Sequence, residues 1–167
     1  MRAGRRIGVG MFLATAMVLS WSSLAQAAVA ITVPATVNLG SVASGATSIS
    51  HQLGTVTVTA SGIVAPSFTA TVSATTFKTG GGAPSETLAT SSIAYWSGPA
   101  TAALLQNATP GQATAAQAQN LSTPRTAFSS TGLALSITTA WNPTIVISIP
   151  AAALSGTYTG TITHSVA

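Results

Sequence analysis

An all-β fold, a single antiparallel sandwich behind an N-terminal signal peptide, is the class that this 167-residue sequence predicts. Three observations predict it. Apolar residues alternate with Thr and Ser at a period of two, which is the strand period. Pairs and clusters of Gly, Pro, Ser and Asn punctuate these runs at short intervals, as turns do. No amphipathic stretch with helical spacing follows residue 27, and several short strands so punctuated make a β-sandwich.

The first element is the leader. Arg2, Arg5 and Arg6 precede an apolar run from Ile7 to Leu19, then Ser-rich sequence and Ala25-Gln26-Ala27. This is the order of a secretory signal peptide. The apolar run is too short and too interrupted for a membrane span of ~20 residues. Cleavage after Ala27 leaves a domain of residues 28–167 with Lys78 and Arg125 against Glu86, so the formal +4 of the whole chain falls to +1. Two dispersed cations cannot neutralise a run of phosphates, which excludes nucleic-acid binding. Nor do they make a polybasic patch for an anionic membrane. The chain has no cysteine, so core burial alone must stabilise the domain, which is feasible at this length.

The strands follow in order. Thr55-Val56-Thr57-Val58-Thr59 sets two valines on one face and three threonines on the other. Phe68, Ala70 and Val72 alternate with Thr69, Thr71 and Ser73. Residues 99–126, interrupted by Pro110-Gly111, read as a long loop excursion, and connections of this length are usually functional or mobile. Leu133, Leu135 and Ile137 alternate with smaller neighbours, and Thr144 to Ile149 is a β-branched run closed by Pro150. The last segment, Thr157 to Val166, reads as the clearest strand: Thr157, Thr159, Thr161 and Thr163 on one face, Tyr158, Ile162, His164 and Val166 on the other.

The stock of reactive groups in 28–167 is small. A glycosidase of the usual kind needs two carboxylates, and only Glu86 is present. No Gly-x-Ser-x-Gly elbow accompanies His51 or His164, and these two with Glu86 lack the short spacing of a zinc motif. The expectation is a non-enzymatic chain without cofactor or metal. His164 shares a face with Ile162 and Val166, which predicts a half-buried ring whose nitrogen finds a backbone partner. Trp96, beside Tyr95, and Trp141, before Asn142-Pro143, read either as core anchors or, if exposed, as a platform for sugar or a partner. Tyr158, near the start of a late strand, fits a tyrosine whose hydroxyl bonds back to the backbone, a stabilising role. The Thr rows suit a solvated sheet face and also have the form of an ice-binding lattice.

The stretch from Trp141 through the β-branched run to Pro150, then Ser155-Gly156-Thr157-Tyr158 and the closing Thr-rich segment to Val166, resembles the C-terminal motif of WxL-domain surface proteins of Gram-positive bacteria. Val33-Pro34, Leu39-Gly40, the Thr-Val-Thr-Val strand, Phe68 to Phe77 and Tyr95-Trp96 are similar in order and spacing to the rest of that domain. The Trp-x-Leu triplet itself is absent: Trp96 precedes Ser97-Gly98, Trp141 precedes Asn142-Pro143, and His164 and Val166 stand where the distal motif carries Trp and Leu. The resemblance implies a secreted β-sandwich held non-covalently at the cell wall among partner surface proteins. It points to Tyr158, Thr163, His164 and Val166, with Trp96 and Trp141 as counterparts of the first motif.

Together these readings predict one Ig-like antiparallel sandwich over 28–167, exported, with no membrane span in its mature form, and associated with peptidoglycan or other surface proteins. Trp96, Trp141, Tyr95 and His164 are the candidate wall- or partner-binding residues, and Tyr158, Ile162 and Val166 the structural ones. Near-zero charge permits self-association, so a self-assembling surface-layer or fibre subunit is the alternative. The chain closes at Ala167 without a sorting motif or apolar tail, which predicts release or retention by contacts rather than covalent attachment.

Overall fold

The computed structural model describes residues 28–43, 45–62 and 64–167; the signal peptide read over residues 1–27 lies outside them. Chain order runs β1 (Ala28–Thr32), β2 (Ser48–Gln52), β3 (Val56–Ser61), β4 (Ser67–Ala74), β5 (Phe77–Lys78), β6 (Thr87–Leu88), β7 (Ile93–Trp96), β8 (Ala100–Leu104), β9 (Gln106–Pro110), β10 (Gln119–Asn120), β11 (Arg125–Gly132), β12 (Ser136–Trp141), β13 (Thr144–Ser148) and β14 (Ile162–Val166). Among the described residues the only helical pieces are three single 3-10 turns. Every strand pairing is antiparallel.

The strands form three four-stranded sheets, β1-β3-β12-β8, β10-β7-β13-β2 and β14-β4-β11-β9, with β5-β6 as a small fourth. The first and third are joined along both sides. On one side β8 runs directly into β9 through Leu105, a non-glycine residue at φ 56°; on the other, β1 lies beside β14. Gln106, just past the corner, ties the two sheets together. Its Oε1 accepts from Ser130 Oγ of β11 at 2.5 Å and from Thr139 Oγ1 of β12 at 2.6 Å, and its Nε2 donates to the Thr138 carbonyl.

The period-two pattern does what it predicts for the inner strands. Val56, Val58 and Ala60 of β3, Phe68, Ala70 and Val72 of β4, and Ile137 and Trp141 of β12 are all buried, while their Thr and Ser alternates face outward or sit half-buried. In β11 two consecutive residues, Ala127 and Phe128, are both buried. A register shift between Thr126 and Phe128 makes this possible, because a bulge inserts one residue and lets neighbours share a face. Gly111 accommodates the bulge: its N–H donates to the Ala127 carbonyl at 2.9 Å, and a side chain there would collide with the Thr126 carbonyl oxygen.

Three sequence expectations are corrected. Residues 99–126 are not a loop excursion but carry β8, β9 and β10. Their Ala- and Gln-rich runs lack hydrophobic alternation because they are edge strands exposed along much of their length, so pairing with β12, β11 and β7 makes them strands. Leu133 and Leu135 do not belong to a strand with Ile137; β12 begins at Ser136, and the Leu133 N–H donates to the Leu105 carbonyl at 2.8 Å across two adjacent corners. The terminal strand starts at Ile162 rather than Thr157. Before it, Thr159 forms an isolated bridge with Lys78, and Gly160 lies so close to Phe77 that a Cβ would approach the ring to 2.7 Å.

Within β14 the faces are as the alternation predicts: Ile162, His164 and Val166 are half-buried, Thr163 and Ser165 exposed. Ile162 packs against the core and Thr161 is exposed. Ile162→Asp is therefore expected to cost about 2 kcal/mol, since it desolvates a carboxylate without a partner, whereas Thr161→Asp stays within about 0.5 kcal/mol. Urea denaturation of the two variants checks this, and equal midpoints would overturn the assignment of faces.

Candidate functional site

Three places could carry function: a buried aromatic and imidazole cluster, a cleft beside it, and an apolar tip. The cluster gathers three of the four candidate binding residues from three strands. β7 supplies Tyr95, β12 supplies Trp141 and β14 supplies His164. The Tyr95 hydroxyl lies 3.2 Å from His164 Nε2, a hydrogen bond in which the phenol donates when the ring carries its proton on Nδ1. The His164 ring is tilted against Tyr95, with centroids 5.8 Å apart, and meets Trp141 edge-on at 6.3 Å. Trp141 in turn stacks on Phe128 at 4.9 Å.

Burial governs the electrostatics here. It pushes the Tyr95 hydroxyl well above the ordinary tyrosine range, and lowers His164 to about 4. The Trp141 indole N–H is close enough to Tyr95 to oppose the first shift weakly, yet it makes no hydrogen bond. Both members of the Tyr95–His164 pair are therefore neutral through the physiological range. Such a pair can orient side chains and close a core, and because burial disfavours the imidazolium the His164 ring is a weaker base than a free histidine.

Of the two readings open for the aromatic residues, core anchor or exposed platform, two positions take the first. Trp141 and Tyr95 have no exposed surface, because alternation along β12 and β7 turns both inward. Trp96, their half-buried neighbour in β7, is the candidate that keeps a face toward solvent. His164 departs from expectation: its ring nitrogen meets the Tyr95 hydroxyl instead of a backbone group. Tyr158 donates to the Leu154 carbonyl at 2.9 Å, with the Ser85 carbonyl a second acceptor at 3.2 Å. That tethers the 149–161 return to the turn before β6. Val166 is half-buried and packs on the core like Ile162. Glu86 is engaged locally, accepting from the Ala83 N–H at 3.0 Å, and His51 sits on the edge strand β2, in a different sheet from β14. Among the described residues no three His, Cys, Asp or Glu side chains converge as a metal site would require.

The cleft lies between the inner face of β2 and β13 and the 149–161 return, with residues 33–43 passing over it; its volume is about 980 Å³. His164 lines it, and the strands contribute Ile49, Ile145 and Ile147. No Asp, Glu, Lys or Arg is among its lining residues. It was invisible in the sequence because the lining comes from segments that are far apart in the chain. The only local signal was the long unpatterned stretch between β1 and β2.

The tip is formed where three connections cross between the first and third sheets. Val64, Leu104, Leu105, Leu133 and Leu135 are exposed there at 55–68%. The connections are laced together, Leu133 to Leu105 as above and the Gly62 N–H to the Leu135 carbonyl at 2.9 Å. Large aliphatic side chains this exposed form an apolar patch larger than the scattered single residues of an ordinary surface. Alternation had placed Leu133 and Leu135 in a strand with Ile137, so the sequence offered no warning of the tip. No protein-family model matches the chain, and no curated protein or solved structure matches it either.

Proposed function

We propose that the protein is an exported, non-enzymatic module, built as one Ig-like β-sandwich and held non-covalently at a bacterial surface through a partner protein. The sandwich reading is supported by the facing of the first and third four-stranded sheets, whose inner sides meet where Trp141 of β12 stacks on Phe128 of β11, and the export reading by the leader-like order of residues 1–27. The observation that carries the functional reading is the tip of Val64, Leu104, Leu105, Leu133 and Leu135. Aliphatic groups dock on protein surfaces, whereas sugar rings stack on aromatic faces, and in the candidate set only Trp96 offers one. The tip therefore favours a surface protein over peptidoglycan itself. Non-enzymatic action is supported by the small reactive stock, in which Tyr95 and His164 are bonded to each other and Glu86 to its own turn.

The test is sedimentation of the exported protein with intact cell walls and with sacculi stripped of protein. The expected result is saturable binding to intact walls, reduced at least tenfold by Leu104→Ser, Leu133→Ser and Leu135→Ser together, and little binding to stripped sacculi. Equal binding to both materials, lost in Trp96→Ala, would transfer the role to glycan recognition, and no binding to either would end the reading. A second reading, self-assembly, has its own observation: β8 is an edge strand without charge or proline, and such edges pair readily with copies. Sedimentation velocity decides it, since Ala103→Lys should abolish any concentration-dependent dimer.

A further inference from the structure

The cleft beside His164 has a property that neither surface docking nor self-assembly uses. It is roomy, at about 980 Å³, the upper end of the range for small-molecule sites, which are mostly apolar with a few placed polar groups. Its deep side is apolar: Leu53, Phe77, Leu88 and Ile147 line it and retain 3–7% exposure. Its walls carry no ionised side chain, so they offer nothing to neutralise a charged ligand, and desolvating a charge without a partner is costly. Asn38, Tyr158 and several Ser and Thr side chains of the strap and the return also line the cleft, and His164 is the polar side chain that the strands contribute. One of its nitrogens is taken by Tyr95, which leaves Nδ1 as the other hydrogen-bonding atom of the ring.

The cover is as distinctive as the floor. Residues 33–43 form no strand, and the hydrogen bonds they make among the described residues are local: Gly40 N–H to Asn38 Oδ1 at 2.9 Å and Ala46 N–H to the Ala43 carbonyl at 3.1 Å. No backbone ladder ties this strap to the cleft walls. Leu39 packs on the core, whereas Val33, Val37 and Val42 are 37–43% exposed. A strap anchored by Leu39 on the core and, at its start, by Pro34 against Gly54 can lift without breaking any sheet hydrogen bond, which is the property of a lid.

We propose that this cleft takes up one molecule of a neutral, single-chain aliphatic lipid, the chain lying over Ile49, Leu53 and Ile147 and an uncharged hydroxyl or carbonyl head meeting His164, with strap 33–43 as the element that opens to admit it. The ligand is a single lipid molecule and not a bilayer surface. Its selectivity follows from the walls: a neutral head is accepted and a carboxylate of the same chain length is rejected.

Equilibrium dialysis of the exported protein at pH 8 against radiolabelled 1-decanol and against decanoate separates these cases. The expected result is saturable 1:1 uptake of decanol, at least tenfold tighter than decanoate, and a thermal midpoint that rises with decanol concentration, as it must when a ligand binds only the folded state. Ala153→Trp, which fills the cleft from its half-buried wall position, should weaken uptake at least tenfold. Should that variant fail to fold, Ile49→Trp on the edge strand serves the same purpose. Absence of uptake by the wild type, decanoate bound as tightly as decanol, or unchanged uptake in a folded, blocked variant would each overturn the proposal. Binding seen only as co-sedimentation with phosphatidylcholine vesicles would overturn it as well, by moving the lipid contact to the outer surface.

Discussion

Trp141→Ala is expected to remove about 3–5 kcal/mol of stability, the cost of truncating a fully buried tryptophan. The position explains the size. Trp141 has no exposed surface and stacks on Phe128 at 4.9 Å, and it meets the His164 ring edge-on. Its indole N–H has no hydrogen-bond partner, so the loss comes from transfer and cavity rather than from an orphaned acceptor. Against a total of roughly 5–15 kcal/mol for a domain of this kind, a change of that size lowers the thermal midpoint by about 10 °C or more. Trp96→Ala, at a half-buried position, should cost about 1 kcal/mol. Calorimetry of the two variants checks the contrast. A similar fall in both would mean that Trp141 is not the core anchor it looks to be.

Stability should also fall as the solution is acidified from about pH 6.5 to pH 4. His164 is lowered to about 4 because burial disfavours the imidazolium, whereas an unfolded chain holds it near 6.5. Between those values the unfolded state binds the proton and the folded state does not, so stability is full above about 6.5 and declines as pH drops toward 4. The shift corresponds to a loss on the order of 3 kcal/mol, levelling off below pH 4. No carboxylate approaches the ring to offset this: Tyr95 and Trp141 are its aromatic neighbours, Val72 is its ladder partner on β4, and Glu86 is bonded to Ala83. Guanidinium titrations at pH 7.5, 6 and 4.5 measure the slope. His164→Leu should flatten it, even though that variant starts lower for want of a partner for the Tyr95 hydroxyl. An unchanged slope in the variant would show that another group titrates.

The outer-surface and inner-surface proposals make separable demands on the same molecule. The tip variants lie at the crossing connections and should leave decanol uptake unchanged, and the Ala153→Trp variant should still bind cell walls. Loss of both activities in either variant would point to general unfolding, which the calorimetry detects.

What local pattern could determine here is the class and the faces. A period of two in Thr55–Thr59, in Phe68–Ser73 and in Ile162–Val166 is a property of neighbouring residues, so the all-β fold and the inward side of β3, β4 and β14 were legible from the chain alone. So was the poverty of reactive groups, which composition states directly. The tertiary structure decided everything that depends on which strand lies beside which. Ala100–Leu104 has no alternation, because an exposed edge buries neither face, and only its pairing with β12 makes it a strand. Leu133 and Leu135 alternate as a core strand would, yet they cross between sheets at an exposed corner held by a backbone hydrogen bond to Leu105. Tyr95, Trp141 and His164 are separated by dozens of residues, and no spacing rule could bring them together. Their meeting follows from the positions of β7, β12 and β14 around one core, and the cleft beside them exists for the same reason. Side-chain alternation is set over a few residues by backbone geometry, whereas cavities and clusters are set by long-range packing, whose partners a sequence does not name.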